Sequence, residues 1–496
     1  MPVKRFASSL IITRGKQDTL EVFLAQRNPE LRFMGGYWAF PGGTVIPEDH
    51  DARTGSLDLA FTRCAIRELF EETGILTGNA GQYLNNRQRA ELRKDLLNNS
   101  AVADWVKVMN DANPDLDRFC HICELTTPSF APVVYNTRFF HIPVNEGDEP
   151  ELIHGELVDS NFFSPAAAIS KWEQGELFIA PPVVFLLKLM LDLGFSKFLK
   201  HADSYTRQFL QGKLHPVYFV PGIFMAPLKT PTLPPATTTN TLIIGHEKLF
   251  IVEPATPYED EQQKLFAKID EFLGAGKKFE AILLTHYHAD HVGAVTATSR
   301  KYKLPVRAHV LTYDRIPGGY IKGKPLADGD RIELGFSPDG KPDWYLEVLH
   351  TPGHADDHIC YLESRYRSII AGDMLSTVST ILIDPPEGHM QTYLRSLKRL
   401  QEYPIKTLFP SHGPVHQEGS ELISYFLAHR KERENRIVSN LKSSVQSIDD
   451  LLPQVYDDVD ESTYPIAARS LLAGLIKLQE EGICQKHENG WSLTTV

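Results

Sequence analysis

The sequence predicts an α+β protein made of several domains. Three observations carry that expectation. The chain has 496 residues, whereas one hydrophobic core rarely serves more than about 250–300. Short apolar runs ending in histidine or aspartate recur through its middle, which is a strand pattern. Helical apolar spacing occurs in both flanks, and a Pro-rich segment between Phe198 and Thr232 and a charged stretch opening at Arg430 mark the breaks. The expected domains are residues 1–200, 215–428 and 429–496.

Composition narrows the class. Hydrophobic residues make up 42% and charged residues 23%, which excludes disordered, collagen-like and disulfide-framework chains. Lys+Arg 51 against Asp+Glu 63 leaves a net charge of −12, so DNA is not an expected partner. No run approaches the roughly 20 apolar residues of a membrane helix. Val183 to Phe195 is broken by Lys188 and Asp192, and Phe6 to Ile12, behind Lys4 and Arg5, reads as a first strand rather than a signal peptide. A membrane partner is therefore not expected. The cysteine count, 5, is odd and suits a reducing compartment, so a cytoplasmic location is expected. Cys120 and Cys123 make a CxxC without the second pair a zinc ribbon needs, and two ordinary thiols are expected there.

The first flank holds a helix of carboxylates. Between Asp58 and Glu72, Phe61, Ala65 and Leu69 recur every four positions with Ile66 and Phe70 beside them, which is an amphipathic helix. Glu68, Glu71 and Glu72 project from one face of it. Such like charges repel unless a cation neutralises them, and magnesium, a hard ion with oxygen ligands, is the natural one. A solvated acidic face is the alternative.

The run Arg67-Glu68-Leu69-Phe70-Glu71-Glu72-Thr73-Gly74-Ile75 resembles the second half of the Nudix box, REUxEExGU, and Phe40-Pro41-Gly42-Gly43 resembles its opening strand and turn. Arg53 and Leu59 stand where the box has Gly and Glu. Taking Gly43 as the box glycine implies an insertion of roughly ten residues, a feature shared with the peroxisomal-type coenzyme A diphosphatase branch. The missing Glu usually pairs with the box arginine. The resemblance implies a Nudix α/β/α sandwich over roughly residues 5–195. In it Glu68, Glu71 and Glu72 would hold magnesium or manganese and act catalytically beside Arg67. Arg27-Asn28, Arg32, Gly36 and the Phe40–Gly43 turn also fall at the spacings of the coenzyme A-cleaving motif RSx3Rx3Gx3FPGG. Two arginines beside a glycine turn can grip a phosphate. Arg27, Arg32, Gly42 and Gly43 are accordingly expected to bind a coenzyme A derivative or another nucleoside diphosphate derivative. Decoration of a strand and turn is the alternative for both arginines. The acidic residue that completes such a site later in the fold has no sequence signal, and Glu156 is a candidate.

In the middle, Ala281-Ile282-Leu283-Leu284-Thr285 leads into His286-Tyr287-His288-Ala289-Asp290-His291. Leu346–Leu349 leads into His350-Thr351-Pro352-Gly353-His354, Ser368–Gly372 into Asp373, and Thr407–Ser411 into His412-Gly413. Strands that each end in His or Asp converge their ligands on one edge of a β-sandwich, and imidazoles with carboxylates suit zinc and related divalent ions. The set resembles the metallo-β-lactamase superfamily: HxHxDH, GH, GD and a late His. The resemblance implies an αββα sandwich with two zinc or other divalent ions. His286, His288 and His354 would hold one, Asp290, His291 and His412 the other, and Asp373 would bridge them. It further implies attack by a metal-bound hydroxide, oriented by Asp290, on an ester, thioester or phosphodiester. Glu253 stands at a strand end where the family commonly has Asp, and His358 is either structural or a substrate contact.

At the C-terminal flank, Ile466 to Glu481 reads as a helix stopped by Gly482, and Ile483–Lys486 with Trp491–Leu493 as a hairpin. A small winged-helix-like tail is expected. From Arg430 onward 8 Lys+Arg stand against 11 Asp+Glu, 8 − 11 = −3, so packing or a substrate channel is favoured over sequence reading. Residues 215–496 resemble the β-lactamase-like endoribonucleases, tail included. The expected function is a metal-dependent hydrolase of small-molecule substrates with two separate centres. The alternative is an endoribonuclease, acting on RNA, whose Nudix part only binds a nucleotide.

Overall fold

Residues Lys4–Arg14 form β1, a strand whose Leu10, Ile11 and Ile12 are all fully buried, as expected of a strand covered on both faces. The computed structural model describes residues 4–31, 34–50, 55–76, 84–98, 105–106, 116–128, 133–144, 149–153 and 155–494. Contacts divide the chain into two units, Met1–Pro221 and Gly222–Val496.

In the first unit, β2 (Glu21–Arg27), β3 (Trp38–Ala39), β4 (Gly42–Thr44), β5 (Cys120–Thr126), β6 (Val134–Pro143) and β7 (Leu157–Phe163) join β1 in one mixed sheet. The path runs β3-β2-β1-β6-β5, with β4 paired to β1 and β7 to β2. β1 and β6 run parallel, Ser8 opposite Arg138. Helix α1 (Leu57–Thr73) packs Phe61, Ala65, Leu69 and Phe70 against Leu10, Phe23 and Phe140 of the sheet. Ser56 caps its N-terminus by accepting from the Leu59 N–H, and Gly74, at φ 74°, closes it in the left-handed conformation. The helices α2 (Asn86–Leu97), α3 (Pro165–Glu173), α4 (Pro181–Leu193) and α5 (Phe195–Leu210) complete the described part. The apolar stretch with Lys188 and Asp192 is the buried α4, and among the described residues no helix is long and apolar enough to cross a membrane. On β5, Cys120 is exposed and Cys123 is buried, both as free thiols. The Pro-rich segment expected as a linker contains strands β8 (Val217–Val220) and β9 (Ile223–Lys229). Pro216 and Pro221 flank β8, where the missing N–H is tolerated, whereas Pro227 lies within β9 opposite Asn240.

The second unit is a sandwich of two sheets. One follows the order β14 (Ile321–Lys322), β13 (Pro305–Arg307), β12 (Lys278–Leu283), β11 (Lys248–Val252), β10 (Thr238–Gly245), β9. The other runs in sequence through β15 (Arg331–Gly335), β16 (Trp344–His350), β17 (Ile359–Glu363), β18 (Ser368–Gly372), β19 (Thr407–Pro410) and β20 (His416–Gln417). The first sheet carries the helices α6 (Glu259–Gly274), α7 (Ala289–Val292) and α8 (Val295–Tyr302) among its connections. On the second, α9 (Met390–Leu400) and α10 (Gly419–Asn440) bury Tyr393, Leu397, Ile423 and Phe426 against Leu349, Ile369 and Leu408. Asn240 ties the sheets together, its amide donating to the Pro410 and Gly413 carbonyls at 2.9 and 2.8 Å.

The helices α10, α11 (Ile448–Val455) and α12 (Tyr464–Glu480) and the hairpin β21 (Cys484–His487)–β22 (Gly490–Leu493) form the winged-helix tail. Its core gathers Ile437, Leu451, Leu471, Leu475 and Trp491. The expected division at 428/429 falls inside α10, which lends Phe426 to the sandwich core and Ile437 to the tail core.

Candidate functional site

Two groups of charged side chains stand out, one in each unit. In the first unit α1 sets Glu68 and Glu72 in the interior, 7% and 6% exposed, with Glu71 at the margin. The Gly42 N–H donates to Glu72 Oε2 at 2.7 Å. A Cβ on Gly43 would collide with the Glu68 carboxylate, so glycine here lets the turn lie directly on the acidic face. Burial pushes all three carboxyls upward, Glu68 to about 7, against the pull of Arg67 on Glu68 and Glu71. Repulsion from Glu71 on Glu68, from Asp49 on Glu71 and from Glu68 on Glu72 adds to it. Glu156 adds to that repulsion on each of them and pairs with Arg27 at 2.9 Å. Arg27 is thereby turned towards the carboxylates. Arg32 lies outside the described residues, as does Arg53.

Arg67 lies behind this face. It reaches Glu68 Oε1 at 2.7 Å and Glu71 at 3.3 Å, and grips Asp49 with two N–H groups at 3.1 and 3.0 Å. Asp49 thus occupies the role of the acidic partner missing at Leu59. It stands in the inserted stretch, ten positions before Leu59, so the box spacing gave no signal for it. Asp49 is 2% exposed, and Asp49→Ala would leave part of a buried guanidinium unpaired. A loss of about 2–3 kcal/mol is expected, read as an earlier urea transition of this unit in the full chain. A shift below about 0.5 kcal/mol would show that Glu68 and Glu71 suffice to hold Arg67.

In the second unit, the ends of β12, β16, β18 and β19 bring the histidines together. His288 Nδ1 lies 3.0 Å from His286 Nε2 and 3.0 Å from His354 Nε2. His291, His412 and Asp290 form a second group: Asp290 is 3.6 Å from His291 and 3.5 Å from His412. Asp373 lies between them, 3.4 Å from His412, 3.6 Å from His291 and 3.6 Å from His354. All seven expected side chains therefore meet at one sandwich edge.

The surroundings hold these rings in place. The outer nitrogens of His354 and His412 donate to the Leu382 and Thr238 carbonyls at 2.9 and 3.0 Å. Glu253 is 1% exposed with φ 51°, an uncommon left-handed backbone for a carboxylate residue. It accepts from Thr285, which also meets His286 Nδ1, from Ser411 at 2.8 Å, and faces His291 Nδ1 at 3.1 Å. Sequence placed Glu253 at a strand end without a role; three strand ends make it a shared anchor. His358 is fully buried and accepts from the Asp373 N–H at 3.0 Å, while its other nitrogen meets Thr351. It is a structural support.

The charges suit a cation. Burial lowers the affinity of His286 and His288 for protons, keeping neutral imidazole available. Burial opposes charge on His291 and His412 as well, but neighbouring carboxylates outweigh it and raise both. Asp373 is lowered far below the carboxylate range because His412 and His291 overcome its burial. His291 Nε2 and Asp373 Oδ1 are buried without a hydrogen bond, a cost that bound cations would remove. The donor set, imidazoles with carboxylates, fits zinc or a similar ion. Carboxylates alone, as on α1, fit magnesium or manganese.

Residues 234–412 match the family model "Metallo-beta-lactamase superfamily", 447–491 "Beta-lactamase associated winged helix domain" and 3–110 "NUDIX domain". A "Beta-lactamase-like protein 2 homolog" of Drosophila melanogaster is 29% identical over 257 residues, 49% of this chain and 83% of that one. An "Atrochrysone carboxyl ACP thioesterase" of Claviceps purpurea is 27% identical over 236 residues, 46% of this chain and 70% of that one. The crystal structure of a Nudix hydrolase from Alicyclobacillus acidocaldarius aligns at 26% identity and TM-score 0.33, covering 38% of this chain and 91% of that one.

Proposed function

This chain is a hydrolase that joins a Nudix domain to a metallo-β-lactamase domain and its winged helix, and we propose that it carries two independent centres. The second unit hydrolyses a thioester, and the first cleaves the diphosphate of a nucleoside diphosphate derivative such as coenzyme A. One observation carries the reading: seven His and Asp side chains from four strand ends meet at one sandwich edge, Asp373 between the two groups.

At the sandwich edge His286, His288 and His354 would hold one zinc-type ion, and Asp290, His291 and His412 a second, with Asp373 shared. Such ions, when bound, acidify water and polarise the attacked carbonyl. Asp290 is the more exposed carboxylate of the group and is placed to orient the attacking water and take its proton. Glu253, Thr285 and Ser411 keep the rings from turning. The products are a free acid and a thiol, as the C–S bond breaks. Thioesters are favoured over phosphodiesters because several relatives bear the name thioesterase and because the arginine and FPGG spacing resembles the coenzyme A motif.

In the first unit Glu68, Glu71 and Glu72 would hold magnesium or manganese, with Arg67 fixing the first two and Arg27, Gly42 and Gly43 lining the nucleotide side. The tail is proposed as a packing element rather than an RNA reader. Arg433 and Arg436 pair with Asp458 and Asp457, and Lys477 with Glu434 and Glu481, leaving little free cation for phosphate.

The test is a mass spectrum of an acyl-coenzyme A incubated with the full chain, zinc and magnesium. Free acid with coenzyme A, together with adenosine bisphosphate and acyl-phosphopantetheine, is expected. Intact substrate alongside cleaved single-stranded RNA would overturn the assignment in favour of an endoribonuclease.

A further inference from the structure

The segment from Ile381 to His389 touches both the histidine group and the tail. On its inner side the Leu382 carbonyl accepts from His354 Nδ1 at 2.9 Å. Further along, Glu387 Oε2 lies 3.7 Å from His288 Nε2, the nitrogen opposite the Nδ1 that faces His286 and His354. Glu387 is itself held: the Tyr287 hydroxyl donates to it at 2.6 Å, and Arg315 stands 3.5 Å away. The His389 N–H donates to the Gly353 carbonyl at 2.8 Å, next to His354.

On its outer side the same segment is gripped from the tail. The buried Arg430 of α10 donates to the Ile381 carbonyl. Arg469 of α12 pairs with Asp384, and Glu480, one end of α12 away, meets His389 Nε2 at 2.9 Å. Three tail side chains thus hold both ends of one loop, and that loop places a carbonyl in hydrogen-bond contact with one histidine and a carboxylate 3.7 Å from another.

We propose that residues 381–389 are a positioning loop for the zinc-type site, with Glu387 fixing the ring of His288 and the winged-helix tail bracing the loop. This rests on the metal reading above. Ligating histidines are oriented by carboxylates or carbonyls on their free nitrogen, and losing such a partner costs about 10–100-fold in metal affinity. The tail's role is then mechanical: it restricts a loop whose displacement would free two imidazoles at once.

The experiment is zinc affinity of the full chain, by competition with a chromophoric chelator, in wild type and five variants. Wild type should bind zinc and His288→Ala should lose the ion its own group holds; failure there refutes the metal reading itself. Glu387→Gln, which still accepts from Tyr287, should bind zinc about 10–100-fold more weakly. Arg469→Ala with Glu480→Gln, both at the surface, should weaken zinc by about two- to tenfold, and Arg469→Asp with Asp384→Arg should restore part of a loss caused by Arg469→Asp alone. Unchanged affinity in Glu387→Gln, with His288→Ala impaired, overturns the assignment of Glu387. Unchanged affinity in the tail double variant overturns the brace. Thermal unfolding of each variant separates these outcomes from simple destabilisation.

Discussion

Asp373→Ala is expected to abolish thioester hydrolysis while leaving diphosphate cleavage at its full rate. Asp373 lies within 3.6 Å of members of both histidine groups. Its removal takes a shared carboxylate from between His291, His412 and His354. At least about 10³-fold in kcat/KM is at stake, which corresponds to roughly 4 kcal/mol of transition-state stabilisation. Zinc content per chain should fall in parallel. A variant that keeps thioester hydrolysis within tenfold of wild type would place that chemistry elsewhere.

The mirror-image expectation concerns Glu72→Gln. The amide is isosteric and still accepts from the Gly42 N–H that now meets Glu72 Oε2 at 2.7 Å, so the turn should persist. What is lost is one of the negative charges crowded with Glu68 and Glu156, and with it the hold on a divalent cation. Diphosphate cleavage in magnesium or manganese should fall by about 10²–10³-fold, with thioester hydrolysis untouched. Chain stability without metal should hold or rise, because a buried carboxyl raised by desolvation and repulsion is replaced by a neutral group. Parallel assays on the two variants decide the matter: if each abolishes the same single product, two independent centres do not exist.

The contrast between these sites shows what kind of information a sequence holds. The ligand-type residues after β12, β16, β18 and β19 each follow a short apolar strand, so a local pattern already places them at strand ends. The carboxylates of α1 share a face because helical spacing repeats every three to four residues. Nothing periodic announces Asp49. It reaches Arg67 across 18 positions, through an insertion that disrupts the very spacing in which a partner would be sought. The Pro-rich segment misleads for a related reason: proline punctuates a chain without excluding strands, and Pro216 and Pro221 flank β8 while Pro227 lies within β9.

The sequence by itself determined the three-part architecture, the two acidic or histidine-rich sets and the net negative charge of the tail, because periodicity, motif spacing and charge are local or additive properties. Only the tertiary structure decided which side chains support them. Glu253 reaches Ser411 across 158 positions, Tyr287 reaches Glu387 across 100, and Glu480 reaches His389 across 91. Contacts of that range depend on how sheets stack and where a loop is pinned. They are set by burial of apolar faces distant in the chain, and the residues that benefit carry no mark of it in their own neighbourhood.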